Sequence, residues 1–243
     1  MTYCIGIALE NGLVFCSDSR TNAGIDQVSS YSKMHAFGVD GERQFVLLSA
    51  GNLATTQAVV SQLRQDVRGG HGGPSLFSLG TLSEVADYIG DLSVRRQARY
   101  LESGHATFDP KVTFILGGQI AGEPPAIFLI YPEGNYITTS RDHPFLQIGE
   151  SKYGKPILDR VITPTTSIEA AAKCAIVSMD STLRSNLSVG PPIELRVYEA
   201  DRLEPGRYLR FEEDDAYLRL LARSWNQKLI EAFSTLPEIS WDR

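Results

Sequence analysis

The stretch TYCIGIALENGLVFCSDSR, residues 2–20, constrains the fold more than any other part of the chain. Apolar and small residues alternate with a period of two on both sides of Asn11-Gly12, which is the pattern of two antiparallel strands joined by a tight turn. The Asn-Gly pair predicts a primed turn, supplying the positive-φ residues that such a turn demands. A hairpin that starts this early ties the first residues into a sheet, so Thr2 is expected to be ordered inside the fold and not frayed, with no signal peptide, arm or linker ahead of it. After a polar stretch over 21–32, KMHAFGV and ERQFVLLSAG form a second hairpin around Asp40-Gly41.

Helical spacing of apolar residues then predicts helices over 53–67 and 82–100, the second with Ser83 as its cap. Between them RGGHGGPSLFSLG predicts a surface loop with His71 facing solvent. KVTFILGGQI, PAIFLIYPEG, NYITTS and PFLQIG read as four short strands, and SKYGKPILDRVI and SIEAAAKCAIVSMDSTLR as two further helices. PIELRVYEA reads as the strand that closes the sheet. Residues 214–233 form an amphipathic helix with Leu218, Leu221, Trp225, Leu229 and Phe233 on one face. Hairpins alternating with pairs of helices predict an α+β fold, a four-layer αββα sandwich of two antiparallel sheets flanked by helices. With 42% hydrophobic residues, 243 residues suffice to fill one domain over 1–243, of which 212–243 is a C-terminal helix and tail.

Composition excludes several classes of function. A net charge of −6, with the acidic residues spread out, argues against nucleic acid or an anionic membrane as partner. No apolar run approaches the roughly 20 residues of a membrane span, so a cytoplasmic protein is expected. Cys4, Cys16 and Cys174 lie in apolar stretches without metal-ligand or CxxC spacing, and read as reduced core residues. His35 alternates with core residues as a satisfied strand histidine, and His105 and His143 have no ligand pattern around them, so neither metal nor cofactor is expected. GGHGG and LGGQ are not phosphate loops, because no Lys-Ser/Thr follows them.

The chemistry-bearing residues are Thr2, Asp18 in SDSR, Lys33 in SKMHAF, and the SAGN that follows the fourth long strand. Strands that run out and back return to one edge of a sheet, which lets Thr2, Asp18 and Lys33 converge. This constellation resembles the proteasome-type N-terminal nucleophile hydrolases, and within them most closely the bacterial proteasome-like family called Anbu. The first 60 residues carry the most specific match; QIGESKYGKPILDR and SMDSTLRSNLSVG match more loosely.

The resemblance implies that removal of Met1 frees the α-amine of Thr2, whose hydroxyl is then nucleophile and whose amine is base. Lys33 would lower the cost of the alkoxide and Asp18 would orient Lys33. It puts the backbone N–H of Gly51 in the oxyanion hole and Ser49 in the first specificity pocket, which a small residue leaves roomy. The auxiliary serine falls on either Glu150 or Ser151. Asp180 precedes the loop that should carry an Asp-plus-Ser group, leaving Ser185 and Ser188 as candidates for its serine. Arg20 is expected to pair with a carboxylate and support the site edge.

A threonine peptidase acting on peptides or unfolded chains is thereby implied, self-associated into a ring or open helical homo-oligomer, with an AAA-type unfoldase as a possible partner. An inactive proteasome-like assembly or peptide-binding protein, and a small-molecule amidohydrolase, are the alternatives.

Overall fold

A computed structural model of the chain describes residues 1–22, 28–69, 73–102 and 108–241; the readings made for His71 and His105 lie outside them. The N-terminal hairpin pairs β1 (Tyr3–Leu9) with β2 (Gly12–Asp18), Leu9 opposite Gly12. The turn is therefore Glu10-Asn11, one residue earlier than the Asn-Gly pattern implies, and only Gly12 has a positive φ, 154°. The reason lies in a neighbouring strand: a Cβ on Gly12 would come within 2.1 Å of the Tyr198 carbonyl oxygen.

The polar stretch after Asp18 contains a two-stranded ribbon of β3 (Arg20–Asn22) and β4 (Val28–Ser30). The second hairpin is β5 (Met34–Val39) and β6 (Arg43–Gly51), with Gly41 at φ 75° in its turn. Asn52 caps α1 (Leu53–Val67), its side-chain oxygen accepting the Thr55 N–H at 3.0 Å. The helix α2 (Leu82–Glu102) is capped by Thr81 and not by Ser83. The Thr81 hydroxyl accepts the Glu84 N–H at 3.2 Å, and the Glu84 carboxylate accepts the N–H groups of Gly80 and Thr81. This reciprocal capping box leaves Ser83 inside the first turn.

Two five-stranded antiparallel sheets result. One has the order β5-β6-β7-β8-β9, adding β7 (Val112–Ile120), β8 (Ala126–Ile130) and β9 (Tyr136–Thr138). The other has the order β10-β1-β2-β11-β12, with β10 (Phe145–Gly149), β11 (Ile193–Glu199) and β12 (Arg207–Phe211). The strand PIELRVYEA therefore does not close its sheet. It lies between β2 and β12, and β12 leaves no alternation to read because all its residues but Phe211 are exposed.

Alternation along each strand builds three buried layers. Tyr3, Ile5 and Ile7 of β1 pack with Val14 and Cys16 against α3 (Lys155–Val161) and α4 (Ile168–Ser185). Phe45 and Leu47 of β6 pack with Phe114 and Leu116 against α1 and α2. Between the sheets lie Cys4, Leu13, Phe15, Val46, Leu48, Ile115 and Ile127. Gly6 belongs to this inner layer, where a Cβ would meet Ile115 at 3.0 Å. The architecture is the expected four-layer αββα sandwich. One premise changes: the two hairpins belong to different sheets, so their ends meet at one end of the sandwich and not along one sheet edge.

All three cysteines are free and buried. No described helix is long and apolar enough to cross a membrane. The last helix, α5 (Ala216–Ser234), starts on Asp215, whose carboxylate accepts the N–H groups of Tyr217 and Leu218. Leu218 and Leu221 of its expected apolar face touch the core, whereas Leu229 and Phe233 are exposed, because the second half of the helix runs clear of the sheet.

Candidate active site

At one end of the sandwich the first residues of β1, the last of β2, the residue before β5 and the last of β6 come together. Thr2 is held through its backbone: its carbonyl accepts the Glu150 N–H at 2.7 Å. Gly149 is in the left-handed region, φ 84°, and a Cβ there would lie 1.9 Å from the Thr2 carbonyl oxygen. Only glycine lets β10 approach Thr2 this closely.

The Asp18 side chain is fully buried and makes three contacts. Its Oδ1 accepts the Lys33 ammonium at 2.7 Å and the Tyr3 N–H at 3.0 Å, and its Oδ2 accepts the Gly190 N–H at 3.2 Å. Lys33, 7% exposed, also donates to the Arg20 carbonyl at 2.7 Å. Thr2 is thus one peptide bond from a group clamped to the Asp18–Lys33 pair. Burial pushes the Asp18 carboxyl up, while Lys33 and the two N–H groups pull it back. At Met1, partial burial and then Lys33 hold the terminal amine below its ordinary range, and Asp18 and Glu150 oppose them.

A cleft of about 350 Å³ opens on this corner, lined by Thr2, Lys33, Ser49, Gly51 and Gly149 among others. Ser49 is buried and its N–H donates to the Lys33 carbonyl at 3.1 Å, which joins the two strands at the cleft floor. Gly51, at φ 119°, is exposed; a Cβ there would lie 2.4 Å from the Lys111 carbonyl oxygen. The segment SAGN therefore supplies cleft floor, a close-approach glycine and the Asn52 helix cap in four residues.

The later positions separate. Of the two alternatives in GESKYG, Glu150 is buried with its Oε2 accepting the Asn186 amide at 3.1 Å. Ser151 is half-buried, and its carbonyl starts the α3 turn by accepting the Lys155 N–H. Ser188 donates to the Asn186 side-chain oxygen at 2.6 Å and so connects, through Asn186, to Glu150. Ser185 is exposed at the end of α4 and stands outside this group. Asp180 is helical and pairs with Arg184 one turn on, at 3.0 Å. Arg20 donates to the Leu187 carbonyl at 2.9 Å and lies against Gly190; its carboxylate partner is Glu213, at 3.8 Å.

Sequence reasoning missed Asn186, Gly190 and Glu194. Glu194 is 3% exposed and accepts Ser19 and Ser32 hydroxyls at 3.0 Å each and the Tyr208 hydroxyl at 2.6 Å. Burial and that hydrogen bond push the Tyr208 phenol up to about 12, so it remains a donor. The residue before Lys33 is thereby anchored to β11 and β12. An acid between two apolar residues of PIELRVYEA is the one signal that pointed to it. Asn186 and Gly190 carry no such signal, because their roles depend on which loop lies over Asp18 and Glu150. Among the described residues, no group of three His, Cys, Asp or Glu side chains is placed to hold a metal ion.

The sequence profile of the family described as proteasome subunit matches residues 2–197. The structure is similar to Anbu, the ancestral β-subunit, from Yersinia bercovieri, with a TM-score of 0.92 and 43% identity over 99% of this chain and 100% of that one. It is also similar to Pseudomonas aeruginosa Anbu, solved as a helical assembly of the Anbu complex, with a TM-score of 0.94 and 46% identity over 98% of both chains. Among sequence relatives, the proteasome subunit beta of Haloquadratum walsbyi is 25% identical over 87% of this chain and 79% of its own length.

Proposed function

The chain belongs to the proteasome subunit family, and from that premise we propose that it is a threonine-type peptidase that cleaves amide bonds in peptides or unfolded chains through Thr2. The observation that supports this above all is the buried Asp18–Lys33 pair, which is bound to the N–H of the residue following Thr2 and opens on a cleft floored by Ser49 and Gly51. A purely structural ion pair needs no such opening, and burying one gains little stability over a packed apolar pair.

Removal of Met1 gives Thr2 a free α-amine, a usable base with a reference pKa of about 7.7–8.0. The amine takes the hydroxyl proton as Oγ1 attacks the scissile carbonyl carbon. The tetrahedral oxyanion faces the Gly51 N–H, and the Lys33 ammonium stabilises charge developing on Oγ1. Collapse expels the leaving amine, which takes up the proton, and an ester on Thr2 remains. Water, deprotonated by the same amine, cleaves that ester and frees the second product. Asp18 orients Lys33. The Glu150–Asn186–Ser188 chain is assigned to tuning the Thr2 amine, because Glu150 already acts electrostatically on the Met1 amine in the same cleft. Ser151 contributes backbone only, and Ser185 has no part.

Self-association into a ring or open helix belongs to the same reading, and an AAA-type unfoldase would deliver folded substrates to it. Supporting it are the helical assembly of the Pseudomonas aeruginosa relative and the apolar residues that a lone chain leaves in water, Phe233 and Trp241 among them.

The test combines intact mass with turnover. Loss of one methionine residue and hydrolysis of a fluorogenic peptide, abolished in Thr2→Ala, is the expected result. Retention of Met1, or full turnover by Thr2→Ala, would overturn the assignment and favour a binding or scaffold role.

A further inference from the structure

A second cavity, of about 720 Å³, lies between α1 and the start of β5. It adjoins the Thr2 cleft, since Ser32, Leu53 and Thr56 line both. Among the described residues its charged lining is cationic: Arg64 and Arg68 face it, and no Asp or Glu does. Among the described residues neither arginine lies within ion-pair distance of a carboxylate, although Arg20, Arg43, Arg184, Arg202, Arg207, Arg210 and Arg219 all do.

The two arginines are four residues apart, Arg64 in the last turn of α1 and Arg68 at its C-cap, where like charges repel. The end of the helix dipole favours cations there, but it supplies no counter-ion within the groove. His35, also in the lining, adds no positive charge at neutral pH: burial and then Arg64 hold its pKa down at about 4. Its Nε2 is buried and has no hydrogen-bond partner among the described residues. The rest of the lining includes hydroxyl and amide groups of Tyr31, Gln57 and Ser61. A groove with two uncompensated guanidinium groups, uncharged donors and no acid among its described residues is built to receive an anion.

We propose that this groove extends the Thr2 cleft and binds a carboxylate carried by the peptide, several residues from the bond that is cut. The inference rests on the peptidase reading for the identity of the ligand. Leu53, at the cleft, and Arg64 are eleven residues apart on α1, about 16 Å along the helix axis. An extended peptide covers that span in about five residues. The groove therefore reads a glutamate or aspartate remote from the scissile bond, while Ser49 leaves the near pocket undemanding.

The experiment uses the full chain carrying Thr2→Ala, so that binding is measured without turnover. Two otherwise uncharged decapeptide amides, one with glutamate near both ends and one with glutamine there, are titrated by calorimetry at low salt. The expected result is about tenfold tighter binding of the glutamate peptide, a discrimination that fades as salt is raised. It should disappear when Arg64→Gln and Arg68→Gln are combined, and persist when Arg219→Gln and Arg223→Gln are combined, an equal change of charge on α5. Equal affinities, or binding of neither peptide, would overturn the proposal. Discrimination by the groove with no turnover by the unaltered chain would sink the peptidase reading and leave the anion groove standing.

Discussion

The corner around Thr2 and the C-terminal helix α5 both invert the usual placement of side chains, in opposite senses. At the corner, Asp18 and Lys33 are charged and almost wholly buried; on α5 and beyond, Phe233 and Trp241 are apolar and 76% and 87% exposed. The corner is compensated within the chain. Each Asp18 oxygen has a donor, Lys33 has two acceptors, and Glu194 anchors the residue before Lys33. The helix is compensated only at its start, where Leu218 and Leu221 reach the core. The difference teaches where to look for partners: a satisfied buried charge is a site whose chemistry is internal, and an uncovered apolar face is one whose completion lies outside the chain.

The sharpest way to break the comparison is to remove Lys33. Lys33→Ala should reduce peptide turnover by several orders of magnitude and cost about 3–5 kcal/mol of stability, because Asp18 is left buried and unpaired. Lys33→Met combined with Asp18→Asn should recover most of that stability in denaturant titration and none of the turnover. Recovery of both would make the pair structural only.

The next test sets α4 against α5, two amphipathic helices of 18 and 19 residues, of which only the first has buried residues. Met179→Ala on α4 should cost about 2–5 kcal/mol, whereas Ile230→Ala and Phe233→Ala on α5 should each change monomer stability by no more than about 0.5 kcal/mol. Phe233→Glu should nonetheless shift the sedimentation profile toward single chains. An unaltered profile would show that the face is not an assembly surface.

His35 sharpens the comparison from a third side, as a half-buried residue whose buried Nε2 has no partner among the described residues. Its folded pKa, about 4, lies below the unfolded value of 6.5, so between those pH values only the unfolded chain takes up the proton. Stability is then complete above about pH 6.5 and is lost as the pH falls toward 4, by about 3 kcal/mol at most. His35→Gln should flatten that part of the profile relative to the unaltered chain in urea titrations at each pH.

The smallest effect expected is that of Glu150→Gln. Removing this carboxylate takes away an influence that raises the Met1 amine; on the proposal that it acts alike on the Thr2 amine exposed by Met1 removal, the alkaline-rising limb of the turnover profile should move to lower pH. A shift to higher pH, or none, would remove Glu150 from the tuning of Thr2.

Much of the fold was legible because local periodicity dominates where one face of an element is buried. The alternation in YCIGIAL, the helical spacing over 53–67 and the runs in KVTFILGGQI each correspond to an observed element. The misses fall where a distant neighbour overrides local pattern. Gly12 is dictated by Tyr198 and not by the turn, and β12 has nothing buried to alternate except Phe211. At the site, Thr2, Asp18, Lys33, Ser49 and Gly51 were legible as residue types at characteristic spacing, and the structure gathers them at one corner. Where Glu150, Ser151, Ser185 and Asn186 lie relative to one another was not legible. That turns on how a loop after α4 lies over β10.

By itself the sequence determined most of the elements, their antiparallel pairing within hairpins, and the residue types capable of chemistry, because these depend on neighbours a few positions apart. The tertiary structure decided that the two hairpins enter different sheets, that Asp18 is satisfied by Lys33, Tyr3 and Gly190 together, and that two arginines at the end of α1 face a groove beside Thr2. Those outcomes depend on close packing between segments up to 172 residues apart, and no local pattern encodes which of them will meet.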